Sequence, residues 1–328
     1  MKPTWRFFAG LAAGFTLAVG LTAAAFYLSL GVPTGTSRWA FELNQKKRAV
    51  AEQTGSPKLL LVGGSATLFG VSAREIQEQT GWRTVNLSTH AALGTAYILH
   101  LAQAAAKPGD TVLLILEYEL YNYGKVNQTW ADRLLVDYLV ARDPAYIRQL
   151  SLREQWTIFM LTSNTRLLEG VKNRLRAESP YDDEGMGVYS TRHLNEWGDL
   201  TRHTRAHRLA QREAIMKTKS ALGKGLLAEA EGFVPVAAFC RWAQTNQVRV
   251  LATFPNLCDR PEYHTPVAER SARIIEDFYT GLGVPVIGTY AEALLPQEDL
   301  LDTMYHPAEE AALARTQRLI PKLKPALR

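Results

Sequence analysis

KLLLVGGSATLFG, residues 58–70, is the stretch whose reading decides the fold. Leu59 to Val62 is a continuous apolar run closed by Gly63 and Gly64, as expected of a strand buried on both faces of a parallel sheet. Ser65 follows at once and is expected on the loop past the carboxyl end of that strand, where open α/β sheets place their ligands. Ser72 to Thr80 then reads as a helix, with Ser72 as N-cap and Glu75 completing a capping box.

The pattern repeats downstream. Thr84 to Leu87 with Thr95 to Ala106 forms a second strand–helix unit, and Lys107-Pro108-Gly109-Asp110 closes its helix ahead of a third strand, Thr111 to Leu116. After a long interval the alternation resumes. A helix from about Phe233 to Thr245 precedes the strand Arg249 to Phe254, and a helix over Val267 to Leu282 precedes a short strand near Val284 to Ile287. Five strands alternating with helices predict a three-layer, doubly wound, mainly parallel sheet.

Near the other end, residues 302–307 read DTMYHP and lead into an amphipathic run, Ala308 to Leu319. Ser65 after the first strand, with Asp302 and His306 on one late loop, supplies a nucleophile, an orienting carboxylate and a base. Imidazole must reach the hydroxyl, and a carboxylate must fix its tautomer. The chain order Ser, Asp, His on this strand pattern resembles the SGNH (GDSL-type) hydrolase superfamily over roughly residues 56–117 and 233–320.

That resemblance implies a Ser65–His306–Asp302 acyl-enzyme site. Backbone N–H groups of Ser65 and of Ala91 or Ala92 would bind the oxyanion, within VNLSTHAALG. The wording differs from the family in three places. Gly63-Gly64-Ser65 stands where GDS is usual. Asp302 and His306 are four apart rather than three. The third block lacks its Asn: Glu117, Tyr118 and Glu119 follow the strand, and Asn122 is the nearest amide.

At the amino terminus, Phe7 to Ser37 contains no charged residue, and Phe7 to Val32 is rich in Leu, Ala, Val and Phe. Such a run exceeds the ~20 residues that cross a bilayer as a helix. Lys2 and Arg6 precede it, which predicts a cytoplasmic amino terminus and an extracytoplasmic main domain. A cleaved signal peptide, with small residues at Thr22 to Ala25, is the competing reading. The continuation through Phe26 to Leu30 favours an uncleaved anchor over residues 1–37. Gly10 and Gly14 form a GxxxG, a spacing of small residues that lets spans pack closely. Residues 38–57 read as a polar linker helix in which Lys46, Lys47 and Arg48 form a solvated face.

Hydrophobic residues make up 47% of the chain and charged ones 21%, as in globular proteins with a sizeable core, and the formal net charge is +5. No dense basic stripe or RNA-type aromatic motif argues for nucleic acid. Neither GxxxxGK[ST] nor GxGxxG follows the first strand, so no nucleotide cofactor is expected. Two cysteines without CxxC give no metal signal. Outside the cytoplasm, Cys240 and Cys258 can form a disulfide or stand as two buried thiols.

Residues 120 to about 230 show no strand alternation. They predict a helical insertion that roofs the site, with helices over Trp130 to Leu139, Pro144 to Leu150, Arg153 to Leu161 and Asn164 to Leu175. Its stretch YSTRHLNEWGDLTRHTRAHRLAQR, residues 189–212, reads mainly as a charged helix, with His203 and His207 at i, i+4. A metal pair there is the sharper alternative. A sugar-binding groove lined by Arg192, His193, Asn195 and Trp197 is another.

The expectation is a membrane-anchored serine esterase or O-acyltransferase. Membrane-anchored proteins that the chain resembles act on O-acyl groups of exported polysaccharides or cell-envelope glycans, which implies such a glycan, the inner membrane and a membrane-bound acyl-donor protein as partners. The alternative is a catalytically degenerate subunit of an envelope polysaccharide assembly.

Overall fold

A computed structural model describes residues 4–122, 132–176, 178, 180–207 and 219–327. In chain order the helices are α1 Thr4–Ser29, α2 Arg38–Thr54, α3 Ser65–Gly70, α4 Ala73–Thr80, α5 Gly94–Ala105, α6 Tyr118–Asn122, α7 Asp132–Arg142, α8 Pro144–Gln149, α9 Leu152–Leu161, α10 Asn164–Asn173, α11 Ala221–Lys224, α12 Phe233–Thr245, α13 Pro266–Gly281 and α14 Glu309–Ala326. The strands are β1 Leu59–Gly63, β2 Thr84–Asn86, β3 Thr111–Ile115, β4 Arg249–Thr253, β5 Leu257–Cys258, β6 Val286–Ile287 and β7 Leu294–Leu295.

The chain divides into two compact units, Met1–Phe41 with Gln128–Tyr181, and Glu42–Asn127 with Asp182–Arg328. The second is α/β. Its five-stranded sheet has the order β2-β1-β3-β4-β6, with every pair parallel and β1 opposite β3 from Leu59↔Thr111 to Gly63↔Ile115. β5 and β7 form a small separate parallel pair. Strands β1 and β3 are buried along their whole length, as their unbroken apolar sequences require.

Helices cover both faces of the sheet. Leu59, Leu61, Leu113, Ile115 and Leu251 pack with Ile76 of α4 and Leu319, Ile320 and Leu323 of α14, while α5 and α12 lie against β1 and β4. At the amino edge, the buried Lys58 Nζ and Asp110 carboxylate pair at 2.8 Å, and the same carboxylate accepts the N–H of Lys58 and Lys107. The Lys-Pro-Gly-Asp turn is thereby fastened to the start of β1. Because the chain passes from β1 outward to β2 and returns to β3 on the other side, the sheet's switch point lies between the carboxyl ends of β1 and β3.

Local details depart from the sequence reading. Ser65 is the first residue of a short helix, α3, rather than part of a loop. Ser72 caps α4 by accepting the Glu75 N–H at 3.1 Å, but its own N–H goes to Thr316 Oγ1, so the reciprocal half of the capping box is absent. Asp199 completes that helix start, accepting from Ala73 N, Arg74 N, Ser72 Oγ and Asn86 Nδ2. Lys47 does not face solvent: with Leu43 and Ala51 it forms a buried stripe of α2, and its Nζ donates to Asn86 Oδ1 and Ser88 Oγ. Burial pushes the Lys47 ammonium down to about 7, against the raising effect of Asp199.

The first unit is helical. α1 includes Trp5–Ser29, long and apolar enough to cross a membrane, with only 6% of its most apolar window buried. Its exit is pinned by a buried ion pair, Arg166 Nε to Asp137 Oδ1 at 2.7 Å. Thr34 donates to Asp137, and Arg166 Nη2 donates to the carbonyls of Ser29 and Val32. Cationic donors suit the unpaired carbonyls at a helix end. The expected insertion is therefore not one body: α7 to α10 associate with the amino-terminal helix, whereas residues from Asp182 belong to the sheet unit.

Between Tyr189 and His207 the charged helix does not form. Short 3-10 turns at Thr191–His193 and Arg205–His207 flank an antiparallel bridge, Leu194↔Leu200, because Asn195 and Gly198 (φ +78°) favour a tight turn. Residues 208–212 of that expected helix lie outside the described residues.

Candidate functional site

Ser65 stands where β1 ends, at the switch point. The double glycine before it answers a steric demand. A Cβ on Gly63 would fall 2.1 Å from the Ile115 carbonyl oxygen, and one on Gly64 would fall 2.4 Å from a Glu117 carboxylate oxygen and 2.7 Å from Ala91 Cβ. Only glycine lets the backbone pass so close.

Glu117, just beyond β3, is what crowds Gly64. Its carboxylate is buried and accepts two N–H groups that straddle Ser65, Gly64 N at 3.1 Å and Ala66 N at 2.8 Å. Burial pushes this carboxyl up to about 7 even though both N–H bonds favour its charged form. Glu117 thus clamps the nucleophile turn from the next strand. An Asn is expected here from the resemblance, but the nearest amide, Asn122, is exposed at the end of α6.

On the late loop, His306 Nδ1 lies 2.9 Å from Asp302 Oδ1. Tyr189 donates its hydroxyl to Asp302 Oδ2, and that hydroxyl is 3.1 Å from His306 Nδ1. Burial opposes the Asp302 charge, but the His306 hydrogen bond, its charge and the Tyr189 hydroxyl together hold the carboxyl below its ordinary range. The four-residue spacing therefore still gives a joined pair. Tyr189 lies in a stretch whose spacing predicts a helix, and no local signal marks it as a partner of Asp302.

The loop is rigidly seated. Leu301 N donates to the His306 carbonyl and Cys258 N to that of Met304. The buried Tyr305 hydroxyl donates to Glu119 Oε2 at 2.6 Å and meets Ser220 Oγ at 2.7 Å, while Asn256 Nδ2 donates to its carbonyl.

Two aromatic contacts tie this cluster to α3, the first being Tyr189 edge-on to Phe69 with centroids 5.2 Å apart. The His306 ring stacks on Phe69, centroids 4.4 Å apart and planes 19° apart, and Phe69 is one helical turn from Ser65. His90 adds a third link. It caps the Ala91–Leu93 turn by accepting Ala92 N–H at Nδ1, 3.0 Å, and burial together with the neighbouring His306 pushes it down to about 4. Among the described residues no hydrogen bond joins Ser65 Oγ to His306, and His306 Nε2 carries none.

The oxyanion assignment narrows accordingly. Ala92 N–H is committed to His90, and Gly64 and Ala66 N–H to Glu117. Ser65 and Ala91 retain N–H groups without an acceptor among the described residues.

Other expected residues serve the framework. Asn195 Oδ1 accepts from Trp197 N and Asp199 N, and Trp197 packs on the sheet core while its carbonyl accepts Asn86 N–H. Asn195 also lines a small cleft with Ser72, Asp199 and His203. His193 is half-buried in a 3-10 turn, and Arg192 pairs with Asp182 and Asp183. His203 is buried edge-on to Phe69 with Nε2 3.3 Å from that residue's carbonyl oxygen, whereas His207 is exposed beside Thr204. The expected i, i+4 pairing on one helix does not exist. No group of three or more His, Cys, Asp or Glu placed to hold a metal occurs among the described residues. Cys240 and Cys258 are separate buried thiols, not a disulfide, and burial raises both, Cys240 to about 11.

Comparison with protein-family models, curated proteins and solved structures returns no match.

Proposed function

We propose that this chain is a membrane-anchored, SGNH-like serine esterase or O-acyltransferase. Its substrate is an acyl group, acetyl foremost, on an exported polysaccharide or cell-envelope glycan. The observation that carries the reading is the Asp302–His306 pair, 2.9 Å apart, stacked through Phe69 onto the helix that begins with Ser65.

In this reading Asp302, held charged and braced by Tyr189, keeps the proton on His306 Nδ1 and leaves Nε2 as the base. Ser65 Oγ attacks the acyl carbonyl and passes its proton to Nε2. The N–H groups of Ser65 and Ala91 receive the oxyanion. Collapse breaks the ester bond, and the leaving alcohol takes the proton from Nε2. Attack on the acyl-enzyme by water, with its proton again taken by Nε2, gives an esterase; attack by a sugar hydroxyl gives a transferase. The SGNH resemblance and the glycan assignment rest on the sequence order Ser65, Asp302, His306. The anchor rests on α1, whose amino end we place in the cytoplasm with the sheet unit outside the inner membrane and within reach of a membrane-bound acyl donor.

A second reading, a non-catalytic subunit of an envelope polysaccharide assembly with the same fold, is favoured by one observation. Glu117 occupies two of the N–H groups around Ser65, and no Asn takes the third-block position. Hydrolysis of 4-nitrophenyl acetate by the full chain in detergent separates the two. The enzyme reading requires turnover that disappears in both Ser65→Ala and His306→Ala, whereas equal rates in all three proteins contradict it.

A further inference from the structure

The helical unit exposes apolar side chains where a soluble domain would expose polar ones. On α9, Leu152, Trp156 and Met160 recur every fourth residue and are 83%, 60% and 62% exposed. On and just after α10, Leu168, Val171 and Leu175 recur at spacings of three and four, with Leu168 73% and Leu175 91% exposed. Each set lines one face of its turns, and the opposite side of α10 is already filled by Arg166, Leu167 and Gly170. Single exposed apolar residues need no explanation, but two periodic stripes on consecutive helices do.

Their position indicates what covers them. Trp156 packs on Phe159 at 5.4 Å, and Phe159 packs edge-to-face on Phe26 at 5.3 Å, in the last turn of α1. Arg174 Nη1 donates to the Leu28 carbonyl, and Ser29 lies against Gly170. Twenty-five residues, Trp5–Ser29, make a rod of ~37 Å against a hydrocarbon layer of ~30 Å, so a spanning α1 brings its last turn to the membrane–water interface. Tryptophan at that level is the usual interfacial anchor. Arg153, Lys172, Arg174 and Arg176 are exposed beside the stripes and match anionic headgroups.

We infer that α9 and α10 form an interfacial platform that lies in the bilayer surface, with Leu152, Trp156, Met160, Leu168, Val171 and Leu175 immersed among the lipids. This rests on the anchor reading of α1 and is independent of the chemistry at Ser65. The platform makes the membrane attachment a broad seat as well as a single span.

The test is site-directed spin labelling of the full chain, with Cys240→Ser and Cys258→Ser, in vesicles of phosphatidylethanolamine and phosphatidylglycerol. Nitroxides are placed by Trp156→Cys, Leu168→Cys and Leu175→Cys, with Phe15→Cys reporting the span and Gln244→Cys an exposed site in the sheet unit. The platform predicts that the first three labels collide with oxygen more than with a water-soluble nickel chelate, as Phe15→Cys does, and that Gln244→Cys shows the reverse. Nickel-dominated collisions at the three sites with an oxygen-dominated Phe15→Cys overturn the platform alone. A nickel-dominated Phe15→Cys overturns the anchor and the platform with it. Spin–spin broadening at Trp156→Cys that vanishes on dilution with unlabelled chain assigns the stripe to a second copy and also overturns the proposal.

Discussion

Replacing Glu117 by Gln isolates the cost of holding a carboxyl against the nucleophile turn. The carboxyl is pushed up from 4.5 to about 7, chiefly by burial. The fold therefore prefers its protonated form by about 3 kcal/mol, at about 1.4 kcal/mol per tenfold. The sign follows from proton counting. Between pH 4.5 and 7 the folded chain holds a proton that the unfolded chain has released, so wild-type stability falls across that window and is level on either side. Gln cannot ionise and keeps the shape. It also loses one acceptor, since only one oxygen remains for the N–H groups of Gly64 and Ala66, a cost of about 1–3 kcal/mol that does not depend on pH. The variant's stability minus that of wild type should thus start negative near pH 4.5 and rise by about 3 kcal/mol by pH 8, all other titrating groups cancelling. In thermal melts of the full chain in detergent this amounts to roughly 6 °C, at roughly 2 °C per kcal/mol for a domain of this size. Parallel melting curves for the two proteins across the range would refute the reasoning.

Asp302→Asn should lower kcat of the esterase assay by about 10³–10⁴-fold, because the amide no longer holds the His306 tautomer, and should also lower the melting temperature at neutral pH, where the charged carboxylate contributes to stability. Since Asp302 is held below its ordinary 3.8, its contribution to stability is intact above that pH and is lost only as the pH falls further. Tyr189→Phe removes one hydrogen bond to that carboxylate and should cost about tenfold in kcat with KM unchanged, measured by steady-state kinetics. Lys47 has the opposite signature to an ordinary surface lysine. Burial lowers it to about 7, so the folded chain carries a penalty below that pH which is relieved as the pH rises toward 10.5. Melts of Lys47→Met should accordingly show wild type gaining on the variant between pH 7 and 10.

Much of the framework was legible because its signals are local. Apolar runs between glycines and prolines marked all five strands of the main sheet, and the Lys-Pro-Gly-Asp stop marked the end of α5. Asp302 and His306 were legible as a pair because one short loop carries both. What escaped the sequence depends on distant partners. Glu117 reads as one more polar residue after a strand until the return from β2 to β3 sets it beside Gly64. Lys47 reads as part of a basic run until Asn86 and Ser88 enclose it. Tyr189 lies in a polar stretch whose helical spacing is overridden by the Asn195–Gly198 turn, and its role follows from Asp302, over a hundred residues away. The division of the 120–230 stretch hinges on Asp137 and Arg166 meeting the exit of α1, a contact no periodicity announces.

The most direct test of the central claim is a covalent one. The full chain, solubilised from membranes in detergent, is treated with a serine-reactive fluorophosphonate, and its peptides are mapped by mass spectrometry in wild type, Ser65→Ala and His306→Ala. The account predicts a single adduct on Ser65 that is absent in Ser65→Ala and strongly reduced in His306→Ala. An adduct on another serine, or one on Ser65 that forms equally well without His306, would contradict it.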